Sequence, residues 1–111
     1  MLPAAYRMRS STEFREVLRR GRSAAGRDVI VHVGTGRPGA TRVGIVVGRT
    51  VGGSVVRHRV ARRLRAQLAQ RLARLPDGTC LVARARPSSA AAASSELGGQ
   101  LDSALTALGL S

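Results

Sequence analysis

The residues in this chain best suited to chemistry are arginines crowded into one segment with helical periodicity. Residues 55–75 read VVRHRVARRLRAQLAQRLARL, which contains seven arginines and no carboxylate. Surface helices are usually stabilised by opposite charges four residues apart, whereas like charges at that spacing repel. A helix without these opposite-charge pairs is suited to lie against a polyanion whose phosphates accept hydrogen bonds from guanidinium groups. The segment therefore predicts phosphate binding.

The composition of the whole chain agrees with this prediction. The 111 residues carry a net charge of +13, every cation is an arginine, and no acidic residue occurs from 29 to 76. Such an excess indicates a nucleic acid or an anionic membrane as partner. A membrane is less favoured because no segment approaches the roughly 20 apolar residues that a span requires. The start of the sequence lacks a signal-peptide core and the single cysteine suggests a reducing compartment, so we expect a cytoplasmic protein.

A helical wheel divides the long helix into two sides. An apolar stripe must face the rest of the fold; it consists of Val56, Val60, Leu64, Leu68 and Leu72. The polar residues that fall together on the opposite arc are His58, Arg59, Arg62, Arg63 and Arg65. Arg57 lies near the edge of the apolar stripe and should point toward the helix start. We expect this arc to contact phosphates.

The start of this helix is a second candidate for anion binding. Gly53, Ser54 and Val55 should present free backbone N–H groups at the positive end of the helix dipole. The glycine would let a phosphate approach the backbone closely, with Arg57 and Arg59 on either side. The amides and the arginines together predict one anion-binding surface.

Two motifs that would indicate an enzyme lack the flanking residues that their function requires. Residues 34–39 spell GxGxxG, but Pro38 and a following strand replace the helix that pyrophosphate binding requires. Gly48 and Gly53 have the spacing of a P-loop, but Ser54 stands where the phosphate-binding lysine should be. Two histidines and six scattered carboxylates form no evident metal cluster or acid–base pair. We therefore predict no catalytic residue and no metal ligand in the protein, so that any chemistry must come from a partner.

Several further elements are predicted around the arginine helix. Ser10 should cap a first helix that carries Phe14 and ends at Gly21. Residues 28–33 should form a strand, and residues 42–48 a second strand, antiparallel to the first by hairpin logic. The arginine helix should run from Ser54 until the Leu-Pro-Asp-Gly sequence at 75–78.

The carboxyl-terminal third predicts one more strand and one more helix. Residues 79–85 form an apolar strand, and a final helix carries leucines at i+4 spacing and ends at Gly109. We expect residues 1–6 to be disordered and residues 88–95 to be a flexible low-complexity loop.

Residues 42–65, RVGIVVGRTVGGSVVRHRVARRLR, resemble the signature of the bacterial ribonuclease P protein component. That family has a strand ending in a basic pair, a Gly-Asn-Ala turn and an Arg-Asn-Arg helix start, followed by Lys-Arg and Arg-Glu. The resemblance extends over roughly residues 7 to 108. His58 replaces the asparagine, Ala61 the lysine, Ala66 the glutamate and Thr50 the second residue of the basic pair. Ala61 and Thr50 carry no charge, so they cannot make the charged phosphate contacts of the family's basic residues.

The resemblance implies one RNA-binding domain over residues 7–109 with an α+β fold. That fold is a two-layer sandwich of a small mixed β-sheet with helices and a left-handed strand–helix–strand crossover, an uncommon hand. It is also found in a domain of a small-subunit ribosomal protein. The implied function is that of the protein subunit of ribonuclease P, which pairs as a monomer with a catalytic RNA and promotes 5′ maturation of precursor tRNA. The RNA and its Mg²⁺ ions would perform the hydrolysis.

The resemblance also assigns candidate site residues. The residues expected to bind the catalytic RNA are Gly53, Ser54, Arg57, His58, Arg59, Arg62, Arg63 and Arg65. The residues expected to line a cleft for the single-stranded 5′ leader of the precursor are Phe14, Leu18, His32 and Arg49. Stacking on ring faces together with a basic track would suit single-stranded RNA.

Two alternatives stay open from the sequence. One is a structural RNA-binding protein of ribosomal type without a processing role. The other is a DNA-binding protein that inserts the long helix into a major groove. Base readout usually requires Asn, Gln or Ser among the arginines, and the outward arc offers only His58, so the DNA alternative is the weaker one.

Overall fold

The computed structural model describes residues 2–8, 10–35 and 41–110. Three α-helices are present in this part of the chain: α1 (Ser11–Arg20), α2 (Ser54–Ala69) and α3 (Ser94–Ala107). The four strands are β1 (Arg22–Ala25), β2 (Val29–Thr35), β3 (Arg42–Val46) and β4 (Thr79–Ala85). Short 3-10 helices occupy Ala4–Tyr6, Leu72–Arg74 and Pro87–Ala91.

The strands form one mixed sheet in the order β1-β2-β4-β3. β2 is antiparallel to both β1 and β4, whereas β3 is parallel to β4. Parallel neighbours need a crossover connection, and α2 provides it between β3 and β4. The predicted α+β class with a small mixed sheet is confirmed.

The main core lies between one face of the sheet and the two longer helices. Val29, Val31 and Val33 point to this face from β2, as their alternation predicts, and all three are buried. Val60, Leu64 and Leu68 of α2 are fully buried against them, while Val56 and Leu72 are partly buried. The predicted leucines of α3 complete this core; they are Leu97, Leu101, Leu105 and Leu108.

The opposite face of the sheet carries α1. Val17 and the partly buried Phe14 and Leu18 pack with Cys80 and Val82 in a second apolar cluster. Helix α1 begins as predicted, because the Ser10 hydroxyl accepts a hydrogen bond from the Glu13 N–H at 3.4 Å, and it ends at Gly21. The molecule thus has helices on both faces, and α1 adds a third, partial layer.

A close contact holds the ring of Phe14 against the sheet. A methyl group added at Gly44 of β3 would lie 2.5 Å from the Phe14 Cζ atom. Only glycine at this position therefore leaves room for the ring against the strand. This contact fixes the position of one predicted cleft residue.

The predicted antiparallel pairing of residues 28–33 with residues 42–48 was wrong. β4 lies between β2 and β3, so β3 pairs in parallel with β4 and not with β2. β4 is buried on both faces over Thr79–Ala83, as a central strand must be. The turn proposed for residues 34–39 lies mostly outside the described residues.

Helix α2 ends earlier than the predicted position at residues 75–78. Its last residue is Ala69, and the Arg71 N–H bonds to the Leu68 carbonyl at 2.9 Å, a 3-10 contact. The Arg71 guanidinium donates a hydrogen bond to the Gln67 carbonyl at 2.7 Å. In a continuing α-helix, the backbone N–H of Arg71 would bond to that carbonyl. At the end of α2, the side chain of Arg71 rather than its backbone N–H therefore bonds to the Gln67 carbonyl.

Two segments expected to lack structure are packed. Leu2 is buried and the Met8 N–H bonds to the Val43 carbonyl at 2.8 Å, so residues 2–6 lie beside β3 and are not a free terminus. Residues 88–95, expected to be a loop, belong to the 3-10 helix Pro87–Ala91 and the start of α3. Ser89 and Ala92 are buried there, because small side chains let this segment pack closely on α2.

Candidate nucleic-acid interface

One side of α2 serves the fold rather than a partner. Residues 59, 63, 67 and 71 are spaced by four and form a polar stripe toward the Pro87–Ala91 helix and α3. Arg59 Nη2 donates to the Ala90 carbonyl at 3.4 Å, and Arg63 Nη1 donates to the Ala92 carbonyl at 2.7 Å. The two lower members of the stripe are Gln67, which donates to Ser94 Oγ at 2.8 Å, and Arg71, which donates to Asp102 at 2.7 and 3.0 Å. The predicted outward arc is therefore divided.

The rest of the arc faces solvent. His58, Arg62 and Arg65 are exposed and lie beside the stripe that binds α3. Arg57 is half-buried, and its Nε atom is buried without a hydrogen-bond partner in the described part of the chain. Of the six predicted side chains of α2, three project freely, whereas Arg57, Arg59 and Arg63 are partly enclosed.

The positive charge of this surface is not neutralised within the described residues. Every ion pair among them involves Arg27, Arg71 or Arg74. Hydrogen bonds from Arg71, followed by those from Arg74, lower the pKa of Asp102 to about 2. Asp28, Glu96 and Asp102 are the carboxylates in these pairs. The arginines at positions 57–65 have no acidic partner among the described residues.

The helix start has the geometry that the sequence predicted. Gly53 is the residue before the first turn, with extended backbone angles φ −70° and ψ 179°, and no side chain of the described residues caps that turn. Gly53 and Ser54 are both exposed. The first-turn amides are therefore open to an anion, flanked by Arg57 and Arg59.

The predicted cleft residues gather on the face of the sheet that α1 partly covers. His32, Val82 and Gly44 stand in one row across β2, β4 and β3. Phe14 lies over Gly44, so its ring and the imidazole of His32 share this face. Arg49 is exposed in the turn that follows β3. Leu18 contributes to the apolar cluster beneath α1 and helps to fix the helix.

The sequence did not identify Arg84 as a site residue. It is exposed in an otherwise buried strand and follows Val82 on the same face of the sheet. Its Nε donates to His32 Nε2 at 3.4 Å. Burial, together with the positive charge of Arg84, lowers the pKa of His32. The signal was available in the sequence, because a lone arginine at an alternating position of an apolar strand indicates that this position meets solvent.

Other site chemistries find no support in the described residues. No group of three His, Cys, Asp or Glu side chains within 2–8, 10–35 and 41–110 is placed to hold a metal ion. In the same ranges, no helix has the length and apolar character needed to cross a bilayer.

Known proteins are similar to this chain in both sequence and fold. A sequence model of the ribonuclease P family matches residues 2–109. The ribonuclease P protein component of Beutenbergia cavernae is 52% identical over 111 residues, covering 99% of this chain and 93% of that protein. The one from Acidothermus cellulolyticus is 50% identical over 105 residues, covering 92% of this chain and 87% of that protein.

Solved structures agree in fold at much lower identity. The RNase P protein from Staphylococcus aureus superposes with a TM-score of 0.83 at 20% identity, covering 96% of this chain and 97% of that one. The RNase P protein from Thermotoga maritima gives a TM-score of 0.76 at 21% identity, covering 87% and 92%. Because the family model matches nearly the whole chain and two relatives are 50% and 52% identical to it, the chain belongs to the ribonuclease P protein component family.

Proposed function

We propose that this chain is the protein subunit of ribonuclease P, which binds the catalytic RNA and the 5′ leader of precursor tRNA. It would thereby promote endonucleolytic maturation of the tRNA 5′ end in the cytoplasm. The observation that carries this proposal is the exposed, unpaired positive charge on α2. Family membership gives that surface a specific RNA partner.

The α2 surface is suited to the structured backbone of the catalytic RNA. His58, Arg62 and Arg65 project from a rigid helix, and the open amides before Val55 extend the same surface. Arg59 and Arg63 are already held by the Ala90 and Ala92 carbonyls. Side chains fixed before binding lose less rotamer freedom when the RNA arrives.

The face beneath α1 is suited to a single strand. Phe14 is half-buried and offers a ring for stacking, whereas His32 is buried and accepts a hydrogen bond from Arg84. Arg84 and Arg49 add positive charge at the uncovered end of that face. Stacking with a basic track holds single-stranded RNA without strict sequence readout. We therefore propose that the leader of the precursor binds here, with Arg84 as an additional contact.

The protein would contribute binding rather than bond cleavage. Its described residues offer no metal-binding group, so we propose that Mg²⁺ is held by the RNA and that the RNA hydrolyses the phosphodiester. The protein subunit then raises the fraction of precursor held in the reactive position.

Reconstitution tests the proposal directly. The cognate RNA is incubated with 5′-labelled precursor tRNA at low Mg²⁺, with and without the protein. Added protein should accelerate cleavage, and the protein alone should cleave nothing. RNA binding without acceleration would instead favour a structural RNA-binding protein, and cleavage by the protein alone would overturn the division of labour.

Matched arginine variants locate the surface. Arg62→Ala and Arg65→Ala together should weaken assembly with the RNA while leaving the fold intact. Arg74→Ala removes a similar charge from the same segment, but from an ion pair with Asp102 at 2.7 Å. Arg74→Ala removes one charge and the double variant two. If Arg74→Ala cost half as much binding free energy as the double variant, net charge rather than the α2 surface would control the affinity.

A comparison of two tRNA substrates tests the leader cleft. Phe14→Ala should weaken the binding of leader-bearing precursor by about 5-fold or more, the range of one lost stacking contact. Mature tRNA, which lacks the leader, should bind as it does to the unaltered holoenzyme. Equal losses for both substrates would place the leader elsewhere.

A further inference from the structure

The first turns of α2 carry a shallow concavity that phosphate binding does not explain. It has a volume of about 320 Å³ and is lined by Ser54, Val55, His58, Arg59 and Arg62. This volume falls at the lower end of the range for small-ligand sites. Val55 is 78% exposed, the largest exposed fraction among the large apolar residues described.

The exposed valine gains nothing from its own chain. Valine is a poorer helix former than alanine, and the Val55 side chain is not packed into either apolar cluster. His58, Arg59 and Arg62 follow it by three, four and seven residues, so they share its face of the helix. An apolar side chain, an imidazole ring and two guanidinium planes thus surround one depression.

This set of groups matches a nucleobase better than a phosphate. A phosphate would bind the guanidinium groups and would gain nothing from the valine. A base has flat faces that stack on imidazole or guanidinium planes and an apolar body that can contact Val55. Its edge carries polar atoms that the Ser54 hydroxyl and the arginines can reach.

We propose that this concavity, the Val55 pocket, binds one unpaired nucleobase of an RNA. The proposal rests on the proposed function, because it assumes that α2 faces the RNA partner. It adds that the α2 surface recognises an extruded base as well as the backbone. Phosphate contacts alone fix no register along a helix, whereas one captured base would set where α2 sits on the RNA.

Salt dependence separates base contacts from phosphate contacts. The affinity of the full chain for the cognate catalytic RNA is measured from low to high salt for four variants. Val55→Ala should lower the affinity by about 5- to 10-fold, and His58→Ala by about 5-fold or more. Neither should change the slope of log affinity against log salt. Arg62→Ala should reduce that slope by about one, as the loss of a phosphate contact does.

Ser103→Ala on α3 is the control, because Ser103 is exposed and lines a different concavity. This change should alter the affinity by less than twofold. Thermal melting of each variant excludes a folding defect. If Val55→Ala leaves the affinity of a folded protein unchanged, or lowers the salt slope, the pocket does not bind a base.

Photo-crosslinking identifies the source of the base. Cys80 is buried, so Val55→Cys supplies one exposed thiol for an aryl azide. Catalytic RNA and precursor tRNA are labelled separately, and the crosslinked nucleotide is mapped in each. One unpaired nucleotide in either RNA supports the pocket and names its source. Crosslinks spread along a backbone, or none in an active holoenzyme, overturn it while the proposed function stands. An unaltered protein that binds neither RNA overturns both.

Discussion

Alanine substitution of two adjacent arginines of α2 should affect two different properties of the protein. Arg63 donates to the Ala92 carbonyl at 2.7 Å in a partly buried contact, whereas Arg62 is exposed. Helical-wheel analysis places both on one outward arc and therefore treats them alike. The structure predicts that Arg63→Ala lowers the stability of the fold and that Arg62→Ala lowers only the affinity for RNA.

The contact geometry gives the size of the difference. A hydrogen bond with a charged donor contributes about 1.5–3 kcal/mol, and the Ala92 carbonyl would also lose its partner. For a domain of this length, 1 kcal/mol corresponds to about 4 °C in melting temperature. Arg63→Ala should therefore melt about 6–12 °C below the unaltered protein. Arg62→Ala should stay within about 2 °C, as exposed substitutions usually cost no more than about 0.5 kcal/mol.

Thermal denaturation followed by circular dichroism at pH 7 measures the first effect. Arg63→Met separates the hydrogen bond from packing, because methionine keeps much of the aliphatic stem but cannot donate. It should melt close to Arg63→Ala. The loss of RNA affinity is measured as a function of salt concentration. Arg62→Ala should reduce the slope of log affinity against log salt by about one.

Two results would refute this reasoning. Equal melting temperatures for Arg62→Ala and Arg63→Ala would mean that the Ala92 contact adds nothing to stability. A melting temperature of Arg63→Met equal to that of the unaltered protein would assign the effect to packing of the stem instead.

Three further predictions follow from the same contacts. Asp102→Asn should destabilise the protein at pH 7: the fall in pKa from 3.8 to about 2 corresponds to at most about 2.4 kcal/mol, and solvent screening of a side chain 45% exposed reduces this to about 1 kcal/mol. Because the folded-state pKa lies below the unfolded one, this stability is present above about pH 4 and is lost toward pH 2, so urea denaturation should show the two proteins converging there. Gly44→Ala should push the Phe14 ring off β3 and lower the affinity for leader-bearing precursor more than the affinity for mature tRNA. An unchanged ratio of the two affinities would show that this contact is not part of the leader cleft. The unaltered protein should bind its RNA with a log–log salt slope of about −3 to −4 if five arginines engage phosphates, and a slope near zero would contradict phosphate binding.

The elements predicted correctly are those that local patterns determine. Ser10 and Gly21 bound α1 because capping groups lie within a few residues of the amides and carbonyls that they serve. The apolar stripe of α2 and the leucines of α3 are buried because helical periodicity places them on one face. β4 matches its predicted range of 79–85, since a continuous apolar run between turn residues has few other solutions.

The errors came from contacts between distant segments. Two strands separated by a short glycine-containing turn suggest a hairpin, yet β4 enters the sheet between β2 and β3 from more than 30 residues further along the chain. β1 was missed because Arg-Ser-Ala-Ala has no β-branched or aromatic residue and is held only by its pairing with β2. Arg71, which lies just beyond the end of α2, pairs with Asp102, 31 residues further along the chain, and no local pattern predicts that contact.

The candidate site was predicted in composition but not in its division of roles. A helical wheel identifies which side chains of α2 face away from the apolar stripe, but it cannot show what packs beside them. The carbonyls of Ala90 and Ala92 come from a segment that low complexity suggested to be a loop, and they engage Arg59 and Arg63. Likewise, the position of Arg84 beside His32 depends on the pairing of β4 with β2.

The divided arc explains how a helix with so many uncompensated arginines can fold before it meets RNA. Like charges at i+4 spacing repel, and Arg59 and Arg63 would destabilise an isolated helix. Here each directs a guanidinium nitrogen to a backbone carbonyl near the end of the Pro87–Ala91 helix, where the carbonyl dipoles carry partial negative charge. A guanidinium has five N–H donors, so one can bind the carbonyl while others remain for phosphate. The packed segment 88–95 therefore acts as an internal substitute for acidic side chains, and the outward charge needed for RNA is kept.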